Sequence, residues 1–136
     1  MIIATAFVQT IRHFFPDLND WLDALPDSRE RDAITYETRF LAWTGLSLFT
    51  MQLGSRRQLD FAFDRYSQQA LDNLNRLART QQQSLPVHDT LDHFLEHVLW
   101  QAFHTLRQKM VQRLLRMKVL DDARLLGCYV VIIDGT

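Results

Sequence analysis

The chain has 136 residues, 47% of them hydrophobic, with nine Phe and three Trp against four Gly and three Pro, a balance that excludes a disordered or turn-rich all-β chain. Its net charge of −1 excludes neither nucleic acid nor protein partners, because it hides an asymmetry: residues 1–38 carry three basic and seven acidic side chains, and residues 99–120 carry five basic and no acidic ones. The single cysteine, Cys128, excludes an internal disulfide, no secretory signal opens the chain, and the longest charge-free stretch, Phe40 to Ser55, is too short and polar for a span, so the default is a cytoplasmic protein with no membrane partner.

The opening stretch from Thr5 to Phe15 is of mixed apolar character and should break at Pro16-Asp17, ahead of a short helix from Asp17 to about Leu25. Pro26-Asp27-Ser28 marks a turn. From Glu30 to Leu53 the pattern predicts one long helix, apolar on nearly all sides from Phe40, as befits an element at the centre of a core. Gly54 stands where a left-handed C-cap is commonly placed. Ser55 with Gln58 three residues on is the Ser-x-x-Gln form of a capping box, so a new helix should begin there. Leu59 and Phe63 share a face of it, and after a bend near Ser67 a further helix places Leu71, Leu74 and Ala78 at helical spacing, with Arg76 and Arg79 on its polar side.

Thr80 to Pro86 is a polar, uncharged run that reads as a loop, and residues 80–87 are the candidate internal boundary. His88-Asp89-Thr90 opens a helix with Leu91, Phe94, Leu95 and Val98 and with Asp89 as a plausible N-cap. In the next helix Phe103, Leu106, Met110, Leu114 and Met117 fall within a sector of about 80°, flanked by a stripe of Lys109, Arg113 and Arg116. Asp121 to Arg124 is a short turn. The β-branched run from Cys128 to Ile133 then predicts a strand covered on both faces. One strand has no ladder partner of its own, and no upstream segment is of similar quality. The expectation is therefore a fragment: an all-α, multi-helix region over residues 1–126, and over 127–136 one C-terminal β-strand that would begin a domain the chain does not contain.

Asp134 sits where that strand emerges and is followed by Gly135, a position suited to a carboxylate that must approach a metal or a phosphate closely. Two-metal phosphoryl transfer needs a set of such carboxylates, and an Asp-Gly pair after a strand is also an ordinary turn. His93-Phe94-Leu95-Glu96-His97 is a literal H-x-x-E-H, the spacing of one class of zinc peptidases. Catalytic zinc needs a third protein ligand, and only His88 or His104 is near, so these histidines read as surface or partly buried side chains, with a zinc hydrolase as an alternative. Trp21, Trp43 and Trp100 sit in apolar helical surroundings and read as core.

Four segments in order carry a resemblance: Gly45 to Asp60, ending in Leu53-Gly54-Ser55-Arg56-Arg57-Gln58-Leu59-Asp60; His88-Asp89-Thr90 after a Pro; Lys109-Met110-Val111-Gln112-Arg113-Leu114; and Ile133-Asp134-Gly135-Thr136. Together, over about residues 35–136, the chain resembles bacterial insertion-sequence transposases of the DDE class. The resemblance implies an RNase H-like catalytic domain beginning with the strand at 128–133, with Asp134 as its first metal-binding acid. It implies Mg²⁺ or Mn²⁺ in the intact parent and no cofactor in this fragment, since the second Asp and the Glu do not occur here. Cleavage and transfer of DNA strands would belong to the parent, and this part alone would have no activity.

For residues 1–126 the resemblance implies contact with double-stranded DNA, the terminal repeats of the element; a second copy of the chain is the other partner considered. The residues themselves nominate Arg56 and Arg57 at a helix start, Arg76 and Arg79, and Lys109, Arg113 and Arg116, because clustered cations neutralise phosphates and release counterions. No recognised DNA-binding motif is present, and aromatic residues are not interleaved with the basic ones along the chain. A rival from another class is a non-catalytic helical interaction module whose terminal strand completes a partner's sheet.

Overall fold

The computed structural model describes residues 2–29 and 34–131. Among them are six α-helices: α1 (Ile2–Phe14), α2 (Leu18–Asp23), α3 (Thr38–Thr50), α4 (Arg56–Ala78), α5 (His88–His97) and α6 (Trp100–Arg116), followed by a 3₁₀ turn at Asp121–Ala123. The protein is mostly helical, and no strand occurs among the described residues. Of the expected strand, residues 128–131 are described and form no ladder; Cys128 makes an isolated antiparallel bridge with Leu125. Asp134 and the rest of that segment lie outside the described residues.

Helix α3 is the centre of the core because five successive residues, Phe40 to Thr44, are buried, and a helix hydrophobic on all sides is stable only when covered on all sides. It packs against α2, α4 and α5, which contribute Leu18 and Leu22, Leu59 and Phe63, and Leu91 and Phe94. Thr44 is fully buried and satisfies its hydroxyl by donating to the Phe40 carbonyl at 2.9 Å. Helix α6 lies at the edge of this core: Ala102, Phe103, Leu106 and Met110 pack against it, yet no α6 residue is fully buried.

Helix ends depart from the sequence expectations for local reasons. The long helix predicted from Glu30 to Leu53 is described as helix only from Thr38 to Thr50. The left-handed residue after it is Gln52 (φ 53°), and Gly54 does not take that conformation. Ser55 does cap α4, its Oγ accepting from the Gln58 N–H at 3.4 Å, while Gln58 Oε1 accepts from the Gly54 N–H at 2.7 Å. The reciprocal half of the capping box has thus slipped back by one residue, from the cap itself to the residue before it. With the hydroxyl contact long and exposed, Ser55→Ala should cost only about 0.5 kcal/mol, read as a small shift in the urea midpoint.

The bend expected near Ser67 is present one residue earlier, at Tyr66 (φ −131°, ψ 32°), whose non-helical backbone divides α4 into two helical segments. Asp89 does not cap α5. Val87 is its N-cap and offers no side-chain hydrogen bond, and the first N–H of the helix, that of His88, is taken by Asp60 Oδ1 of α4 at 2.9 Å. Asp60 Oδ2 also meets His88 Nδ1 at 2.5 Å, so one carboxylate ties α5 to α4. The loop expected at Thr80–Pro86 is present, folded onto α4 through Asn75, whose Oδ1 accepts from Thr80 Oγ1 and Gln82 N, both at 2.8 Å.

Candidate nucleic-acid interface

The C-terminal end of α4 leaves backbone carbonyls without intrahelical partners, and a helix end of this kind attracts cations and N–H donors. Three other helices supply them. Arg12 of α1 donates to the Arg76 carbonyl at 3.1 Å, Asn19 of α2 to the Leu77 carbonyl at 2.9 Å, and Arg39 of α3 to the Arg79 carbonyl at 3.3 Å. Asn19 is buried and also accepts from Trp43 Nε1 at 2.8 Å, which anchors the arrangement in the core. Arg79 takes a left-handed conformation (φ 56°) as the C-cap.

This capping gathers arginines. Arg12, Arg76 and Arg79 are all exposed around one helix end, and none of the three makes an ion pair with another described residue. Arg39 beside them is neutralised by Asp23 at 3.0 Å and Glu37 at 2.9 Å. The sequence nominated Arg76 and Arg79 but missed Arg12, which is 64 positions from its acceptor. Only the lone cationic position on the polar face of α1 could have hinted at it.

The other nominated cations divide by the work they do in the fold. Arg56 forms an ion pair with Asp92 of α5 at 2.5 Å, whereas Arg57 is exposed and makes no ion pair among the described residues. The Lys109, Arg113 and Arg116 stripe is split. Arg113 reaches Asp17 at 2.7 Å, and the Lys109 ammonium stands 5.9 Å from the Trp21 ring centroid, so both hold α6 against the α1–α2 region. Arg116 remains exposed and unpaired among the described residues. The structure therefore brings Arg76 and Arg79 together with Arg12, and places Arg57 at the opposite end of α4.

The H-x-x-E-H segment lies on α5, where the His93 and His97 rings stand 4.1 Å apart and line an open cleft of about 640 Å³ with Arg29, Tyr36 and Asp89. His97 Nδ1 donates to the His93 carbonyl at 2.7 Å. No group of three or more His, Cys, Asp or Glu able to hold a metal ion occurs among the described residues. Trp43 is core as expected, Trp21 is partly buried, and Trp100 is 69% exposed. Among the described residues no helix is long and apolar enough to cross a membrane. Comparison with known proteins found no match among family models, curated proteins or solved structures.

Proposed function

We propose that this chain is the helical, DNA-binding part of a cytoplasmic DDE-type transposase, and that it engages double-stranded DNA at the ends of its element. The observation that carries the reading is the convergence of Arg12, Arg76 and Arg79 on the end of α4, three guanidinium groups without acidic partners among the described residues. Such a group suits successive phosphates of a duplex backbone, where each neutralised phosphate releases a counterion. The resemblance of residues 35–136 to the transposase family supplies the identity of the DNA.

Strand cleavage and transfer belong to the intact parent, for which Mg²⁺ or Mn²⁺ and further acids are implied. Asp134 would be the first of those acids, and it lies outside the described residues. A non-catalytic interaction module is the second reading. It draws on the apolar surface left open at Leu125, Leu126, Val130 and Val131, of which Leu126 is 97% exposed.

The test is a titration of a short duplex with the full chain at about 50 to 200 mM salt. The wild type should show a steep fall of log K with log salt. Simultaneous Arg12→Gln, Arg76→Gln and Arg79→Gln replacement should reduce that slope by about 0.9 for each phosphate no longer neutralised, or roughly 2–3 in all. Duplex binding that is undetectable at low salt, or a slope that the triple variant leaves unchanged, would remove the proposal.

A further inference from the structure

Helix α4 is more than the bearer of an arginine cluster at its end. Leu59 and Phe63 before the kink at Tyr66, and Leu74 and Ala78 after it, face the core, which turns the opposite side of each segment to solvent. That outward side carries Arg57, Gln58, Phe61, Arg65, Gln68, Gln69, Asp72 and Arg76, all exposed. Phe61 is 75% exposed in the middle of this polar surface, with Arg57 four residues before it and Arg65 four residues after it. Residues four apart stand over one another on a helix, so Phe61 is flanked by Arg57 and Arg65 on one stripe. Cations and an aromatic ring are therefore interleaved after all, at a spacing that adjacent residues do not reveal.

The surface carries both signs, with Asp64 and Asp72 exposed alongside Arg57, Arg65 and Arg76. Arg57, Arg65 and Arg76 make no ion pair among the described residues, and Arg65 leans over the neighbouring Tyr66 ring, 5.5 Å from its centroid. Asp72 has its carboxylate occupied by Gln68 Nε2 at 2.9 Å, Asp60 is turned to His88, and Asp64 lines the groove beside Pro86 and Val87 on the flank. The first segment of α4, from Arg56 to Arg65 ahead of the kink at Tyr66, spans about 15 Å, enough to lie in the major groove of B-form DNA, about 12 Å wide. Arg and Gln are the residue types that make paired hydrogen bonds to guanine and adenine edges there, and an exposed apolar side chain between them suits the thymine methyl group.

We infer that the first segment of α4 is a reading helix: its Arg57, Phe61 and Arg65 side enters the major groove of a duplex and selects base sequence, while Arg12, Arg76 and Arg79 hold the backbone at the far end of α4. The inference rests on the DNA-binding reading and adds base selection to it. A duplex in the groove satisfies both halves of the surface, the guanidinium groups by phosphate and base edges and the ring by a methyl group. A single strand would instead use the ring for base stacking.

The experiment selects binding sequences from a randomised duplex library with the full chain, then compares affinity for the selected duplex with that for unselected duplex and for the single strand. The expected result is an enriched sequence. Arg65→Ala should lower the selected-to-unselected ratio about tenfold and relax one or two base positions on reselection, and Phe61→Ala should lower it about threefold. Arg65→Ala should also weaken binding to unselected duplex through its lost charge, so the ratio rather than the affinity carries the test, and both variants should keep about the wild-type urea midpoint, since both side chains are exposed. Salt-dependent duplex binding with no enriched sequence, a ratio unchanged in both variants, or a preference for the single strand would overturn the reading helix while leaving duplex or general DNA binding in place. Failure of the wild type to bind any DNA would instead overturn the function itself.

Discussion

Replacing Arg29 with Met should destabilise the protein by about 3–5 kcal/mol, because it strands a carboxylate with little access to water. Arg29 and Asp27 form an ion pair whose side chains are 7% and 9% exposed. Arg29 Nε lies 2.9 Å from each Asp27 oxygen, and its Nη2 donates to Asp27 Oδ2 at 2.5 Å and to the Tyr36 carbonyl at 3.3 Å. Thr38 Oγ1 donates to Asp27 at 3.0 Å, and the Arg29 guanidinium covers the Phe94 ring at 5.2 Å. The pair thus joins the segment after α2 to the start of α3 and to α5. Urea denaturation should show the loss in full for Arg29→Met and a smaller one for Asp27→Leu combined with Arg29→Met, which leaves no uncompensated charge. A single variant within about 1 kcal/mol of the wild type would show that the pair does not clamp these segments.

The same pair sets an acid limb. Hydrogen bonding from Arg29 lowers the Asp27 pKa below its ordinary 3.8, outweighing the upward push of burial. A carboxylate whose folded pKa is depressed contributes stability that is fully present above the unfolded value and is lost as pH falls through the folded one. Stability of the wild type should therefore decline below about pH 4, and Asp27→Asn, though less stable at neutral pH, should show a shallower decline. An unchanged acid limb in Asp27→Asn would assign it to other carboxylates.

Phe40→Ala should cost about 3–5 kcal/mol, a large part of the total stability of an ordinary domain. Phe40 has no exposed surface, and its ring stacks on Tyr36 with centroids 5.9 Å apart and planes 10° from parallel. Phe49→Ala deletes the same atoms from the same helix, but Phe49 is 79% exposed, and its loss should stay within about 0.5 kcal/mol. Comparing the two by thermal or urea unfolding separates burial from helix propensity, which is identical in both. Because Arg29 donates to the Tyr36 carbonyl, combining Phe40→Ala with Arg29→Met should give a loss that differs from the sum of the two.

Helix content and the identity of the central helix were legible in the amino-acid order because periodicity is a local property, and a run such as Phe40 to Thr44 has no stable placement except the middle of a core. The loop at 80–86 and the cap at Ser55 were legible for the same reason: their partners lie within a few residues. Gln52 taking the left-handed turn in place of Gly54 shows the limit of such rules, since the helix ended earlier than its apolar pattern did.

Sorting the cations needed the tertiary structure. Arg57 and Arg65 bracket Phe61 by spacing within one helix, but Arg12 joins Arg76 only once α1 packs at the end of α4. By the same packing Arg113 and Lys109 became supports of α6, although in sequence they looked as free as Arg116. The sequence alone located α2 to α6 and the apolar face of each, because those follow from spacing within one turn, while α1 carried only a mixed apolar signal and the apolar pattern of α3 overran its observed ends. Which arginines keep their charge for a partner was decided by tertiary contacts between distant residues, because a cation is neutralised or spared by whichever acid, ring or carbonyl the fold brings within about 4 Å.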